Sequence, residues 1–127
     1  MANERFMQLI SELYQATLDG RVRWEETAKE GVFRVGLGDG LVRIHSGMDD
    51  ENNFCVSIYL LNNQDRVVDE LRRWEGGDDY SMLLDLYQHA RSSALHIDEV
   101  VESMLSDLKA GRVRDLPSES QADEVPF

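Results

Sequence analysis

The chain is poor in the residues that would staple or anchor it. It holds one cysteine and two prolines in 127 residues. With Cys55 the sole thiol, an internal disulfide is excluded and a cytoplasmic setting is expected. No apolar run approaches the ~20 residues of a membrane-spanning helix. The opening Met1-Ala2-Asn3-Glu4-Arg5 lacks the basic-then-apolar order of a secretory signal. Positive charge is scarce as well, with 13 Lys and Arg against 25 Asp and Glu and a formal net charge of −12. Nucleic acids and anionic membranes are bound through Lys and Arg, so neither is an expected partner.

Signatures of catalysis and metal binding are also missing. HExxH, GxSxG and GxxxxGK[ST] do not occur, and the acidic clusters Asp49-Asp50-Glu51 and Asp78-Asp79 lack the spacing of an EF-hand loop. Gly36-Leu37-Gly38-Asp39-Gly40 is glycine-rich, but no helix follows it to offer amides to a phosphate. His89 and His96 stand seven apart with no second ligand at i+4, and read as surface or interface residues. Cys55 lies in the most apolar stretch, where a thiol packs as a small hydrophobe. No catalytic residue, metal or cofactor is therefore expected, and the chain does not read as an enzyme.

What is present is a folded-domain composition, 42% hydrophobic and 30% charged. One stretch dominates. From Asp79 to Lys109, the residues Leu83, Tyr87, Ala90, Ala94, Ile97, Val101, Met104 and Leu108 recur at spacings of four and three, the apolar seam of a helix. Asp78 or Asp79 suits its N-cap and Gly111 its C-terminal stop. A first helix is read at 4–18, with Asn3 as N-cap and Gly20 as stop. Between the helices come four or five strands: one around Val22 and Trp24, then Phe33 to Leu37, Val42 to Ile44, Phe54 to Leu61, and a weaker Val67 to Trp74 with room for a bulge. Asp39-Gly40 reads as a two-residue hairpin loop that sets Leu37 opposite Val42 and Val35 opposite Ile44. Ser46 to Asn53 reads as a polar, mobile loop and Asn62 to Asp65 as a turn.

The expected fold is a two-layer α+β domain over 1–111: an N-terminal helix, an antiparallel meander of 4–5 strands, and a long C-terminal helix packed on one sheet face. Residues 112–127 read as a disordered acidic tail. A continuous helix of that length spans roughly 46 Å, against about 20–25 Å for the sheet. It must therefore project past the sheet as one helix, at most bent, which is the favoured reading, or break near 92–98, where Ser92, Ser93 and His96 are mediocre helix formers and Asp98 suits a second N-cap.

Two surfaces carry the functional expectations. On the second sheet face Arg23, Arg34, Arg43 and His45 point the same way, with Ser57 and Tyr59 near them. Arginines beside a tyrosine suit a carboxylate or phosphate, so Arg23, Arg34, Arg43, His45 and Tyr59 are the candidate ligand residues. The plain alternative is a solvated face with ion pairs to Glu25 or Glu30. The helix seam is the other surface: Ile97, Val101, Met104 and Leu108, with Trp74, are the candidate interface. The leading expectation is a small acidic, cytoplasmic, non-enzymatic protein–protein interaction module, an adaptor, an accessory subunit or a secretion-chaperone-like holder. It is homodimeric through the second half of the long helix and has an unidentified protein as further partner. The alternative is a small-ligand or anion-binding domain using the arginine-rich face. An enzyme whose site assembles only in three dimensions is a third.

Overall fold

The first helix, α1, spans Glu4–Leu18 and buries Phe6, Ile10, Leu13 and Thr17 along one face. It stops at Gly20. With φ at +73°, Gly20 donates its amide to Thr17 O, and the Arg21 amide reaches back to Ala16 O. The computed structural model describes residues 4–116, so Asn3 and residues 117–127 of the expected tail lie outside the described residues. Arg112 to Leu116 are in neither helix nor strand and are exposed.

Five strands pair antiparallel in chain order: β1 Glu25–Glu26, β2 Val32–Leu37, β3 Gly40–Met48, β4 Phe54–Leu61 and β5 Val67–Trp74. Helices α2 (Tyr80–Leu95) and α3 (Ile97–Lys109) follow. The expected two-layer α+β architecture is present. By their contacts the described residues divide into two compact units, the first ending at Ile97 and the second beginning at Asp98.

In the first unit α2 lies on the sheet and α1 packs against α2. Phe33, Val35, Val42, Ile44, Val56, Ile58 and Leu71 supply the sheet side of the core, and Leu83, Leu86 and Ala90 supply the helix side. Trp24 joins the two helices. Its indole Nε1 donates to Thr17 Oγ1 at 3.1 Å, Thr17 donates on to Leu13 O, and the Trp24 amide donates to Ser93 Oγ. This use explains why Val22 and Trp24 do not form the expected strand. The indole is buried in the core, and pairing begins only at Glu25.

The β2–β3 register differs from the expected one by two residues. The loop is Gly38-Asp39: Leu37 faces Gly40, Val35 faces Val42 and Phe33 faces Ile44. Gly38 has φ +58° and Asp39 is not left-handed, so glycine occupies the first loop position, as a type II′ turn requires. A side chain at Gly40 would lie 3.1 Å from Leu61 O. A shift of two preserves alternation, so the buried face is unchanged.

β3 runs on through Ser46 to Met48, so the polar loop shortens to Asp49–Asn53, and it is hydrogen-bonded rather than loose. Asp49 Oδ1 accepts the Glu51 and Asn53 amides, and Asn52 is left-handed. The β4–β5 turn repeats this plan: Asn62 Oδ1 accepts the Gln64 and Arg66 amides, and Asp65 is left-handed. The expected bulge in β5 is Val68, since Leu60 faces Asp69 while Leu61 faces Val67.

The long seam is two helices. His96 ends α2 in the left-handed conformation (φ 54°, ψ 43°), its amide donating to Ser92 O and Ser93 O. Asp79 holds the N-cap position of α2 without a side-chain capping bond. Asp98 is not a cap; it sits with Glu99 in the first turn of α3, where the helix dipole favours acids. No residue of α3 is buried, and Val100, Val101, Met104, Leu105 and Leu108 are exposed. Gly111 closes α3 with φ +74°, and the Arg112 amide donates to Asp107 O. Among the described residues no helix is long and apolar enough to cross a membrane.

Candidate functional site

Strand alternation sends one half of the sheet's side chains to the helices and the other half to the opposite face. There the register aligns two cross-strand rows. One is Val32, His45, Ser57, Arg72. The other spans all five strands as Glu25, Arg34, Arg43, Tyr59, Glu70. The second row is therefore cationic in the middle and acidic at both ends. Its two arginines are directly opposed, which is unfavourable for like charges unless something neutralises them.

The neutralisation is uneven. Glu25 Oε1 accepts from Arg34 Nε at 2.7 Å, and Glu70 Oε2 lies 3.0 Å from Arg72 Nε. Both pairs are exposed. Arg43 is half-buried, and its Nε is shielded from solvent with no hydrogen-bond partner. Stranding a charged donor in this way is costly.

These residues line an open concavity of about 530 Å³. Arg34, Arg43, His45 and Tyr59 border it from the strands, and the β1–β2 loop adds Thr27, Ala28 and Lys29 over the buried Val32. Thr27 Oγ1 bonds both the amide and the carbonyl of Lys29, which fixes the loop as one wall. A Cβ on Gly47 would lie 3.4 Å from the His45 ring, so the imidazole leans along β3 over the glycine.

Electrostatics report the same cluster. Burial lowers the pKa of His45 below its ordinary 6.5, and the positive charges of Lys29 and Arg72 push it further down. The Tyr59 hydroxyl beside the Arg72 guanidinium favours its charged form, and Glu70 acts in the same direction. The concavity thus offers N–H donors and positive charge around a partly apolar floor, in a chain whose overall charge is strongly negative. Such a site can hold and orient a planar or tetrahedral oxyanion.

Of the candidate ligand residues, Arg34, Arg43, His45 and Tyr59 come together. Arg23 precedes β1, is exposed and does not border the concavity. The expected ion pair to Glu25 is present on Arg34. Lys29 and Arg72 belong to the cluster and were missed. Lys29 lies in a loop with no periodicity, and the bulge at Val68 hides the alternation that would have placed Arg72.

The other chemistry-bearing residues do not border the concavity. Cys55 is buried opposite Gly47, in the next row of the same sheet face. His89 is exposed, its Nδ1 2.9 Å from Asp85 O, and His96 is the left-handed end of α2. Trp74 is 42% exposed at the end of β5, and its Nε1 donates to Asp49 Oδ2 at 2.9 Å. Asp49 is pulled below the usual carboxylate range, first by the Asn53 amide and also by the Glu51 amide and Trp74. Among the described residues no group of three or more His, Cys, Asp or Glu is placed to hold a metal ion. Comparison of the chain with protein-family models, curated proteins and solved structures finds no match.

Proposed function

We propose that this chain is a small-anion-binding domain, whose second sheet face takes a ligand bearing a phosphate or carboxylate group. Arg43 carries the reading: its Nε is buried without a partner, directly opposite Arg34, on the rim of a concavity shared with His45, Tyr59 and Lys29. A bound oxyanion supplies the acceptor that Arg43 lacks and offsets the repulsion between the opposed arginines. Tyr59 and the Thr27–Lys29 wall orient the rest of the ligand. The expectation of an interaction module rests on other residues, those of α3 with Trp74, and the two are compatible in one chain.

Thermal unfolding with sulfate, phosphate and citrate, each against sodium chloride at matched ionic strength, tests this. A ligand at ten times its Kd adds about 1.4 kcal/mol, which is roughly 4–6 °C in Tm for a domain of this size. Arg43→Ala removes that shift and Arg23→Ala keeps it. An unchanged Tm across the panel, or a shift that survives Arg43→Ala, rejects the reading.

A further inference from the structure

We propose that two copies of this chain associate through α3, with the two helices antiparallel. This contact uses no residue of the anion site. Ile97, Val101, Met104 and Leu108 fall at spacings of four, three and four, the seam spacing of paired helices, and Val100 and Leu105 widen it. Met104 and Leu108 are 66% and 67% exposed, and no residue of α3 is buried. A thirteen-residue helix without a buried face is marginal in water, so covering this seam supplies what its own backbone does not.

Charge selects both the partner and the direction. Asp98 and Glu102 lie toward the N-terminal end, and Lys109 and Arg114 at or just beyond the C-terminal end, where Arg112 is already paired with Asp107 at 3.0 Å. Asp98 and Lys109 are about 16 Å apart along the axis. Antiparallel pairing sets the acidic end of each helix beside the basic end of the other and opposes their dipoles favourably; parallel pairing sets acid beside acid. The segment is therefore its own complement about a two-fold axis near Glu102 and Ser103, which is the requirement of an isologous dimer. It is also a surface where two chains of charge −12 meet with little repulsion, since Asp98 to Arg114 holds four acidic and three basic residues. At the C-terminal end of the seam Met104, Leu108, Arg112 and Val113 border a concavity of about 420 Å³. In the antiparallel register the partner's Ile97 enters it.

Sedimentation equilibrium of the full chain is the test. Near 100 µM the expected mass is twice 14.6 kDa. Met104→Asp places two charges in the seam and weakens the dimer by more than about a hundredfold, with the indole fluorescence of Trp24 and Trp74, both in the first unit, unchanged. Asp98→Lys and Lys109→Glu each weaken it about tenfold, and the two together restore it. Arg43→Ala leaves the mass unaltered. A monomer at that concentration overturns the proposal, as does a dimer indifferent to Met104→Asp. Failure of the double charge exchange to restore association overturns the antiparallel arrangement.

Discussion

His45 is the group through which the pocket can be read in solution. Its folded pKa lies below the unfolded value of 6.5 because burial and the nearby Lys29 and Arg72 disfavour the imidazolium. The unfolded chain therefore takes up the proton first. The stability tied to His45 is complete above pH 6.5 and declines as pH falls toward and below the folded pKa. His45→Gln flattens that decline in urea titrations run from pH 7.5 to 5. Sulfate, whose charge is constant over this range, raises the His45 pKa if it binds beside the ring, so its imidazole proton resonances titrate at higher pH when sulfate is added. A His45 that titrates unchanged in sulfate places the anion elsewhere. Arg34, Arg43, His45 and Tyr59 were legible in the sequence because two-residue alternation assigns faces without knowing the register. Lys29 and Arg72 were not, since loop geometry and an extra strand residue leave no periodic trace.

Among the elements, the turns and caps hold the meander between its helices. Trp24→Ala opens a cavity between α1 and α2 and should cost about 3–5 kcal/mol in denaturant unfolding. Trp24→Phe keeps most of the bulk but loses the bond to Thr17, and should cost about 1–2 kcal/mol. At Gly20 a Cβ meets no atom within 4 Å, so Gly20→Ala isolates the backbone penalty of φ +73°, about 1–2 kcal/mol. The bounds of α1, β4 and β5 were readable from periodicity and punctuation. The turn was misplaced by one residue, and the register with it by two, because either glycine beside Asp39 can supply a left-handed position. The break at His96 was readable as weak helix formers, but one seam phase runs through both helices and conceals it. The first strand failed for a tertiary reason, since Trp24 is drawn into the interface between α1 and α2.

For the whole molecule, net charge sets a background against which both proposed surfaces act. At −12 the chain repels itself, and screening relieves that strain. Raising sodium chloride from about 10 to 200 mM should raise Tm while weakening sulfate binding, so the two effects separate on one salt series. Hydrogen exchange gives a second separation. Amides of β3, β4 and α2 exchange only on global unfolding, whereas α3, with nothing buried, exchanges by local opening at low protein concentration and slows as concentration rises. Exchange of α3 that is independent of concentration would argue against association through it.

The swelling at Val68 has a consequence for the chain's arithmetic. β5 contains one residue more than its ladder with β4 consumes: Val67 answers Leu61, Asp69 answers Leu60, and Val68 answers no one. Strike out Val68 and every rung survives, with Leu71 still turned to the helices and Arg72 still beside Tyr59. Strike out Glu70 instead, and the same slack takes up the loss: Asp69 moves opposite Tyr59 and Val68 opposite Leu60, while Val67, Leu71 and Arg72 keep their places. Chains lacking either Val68 or Glu70 should fold with the sulfate response intact, whereas a chain lacking both, with no slack left, should lose both fold and response.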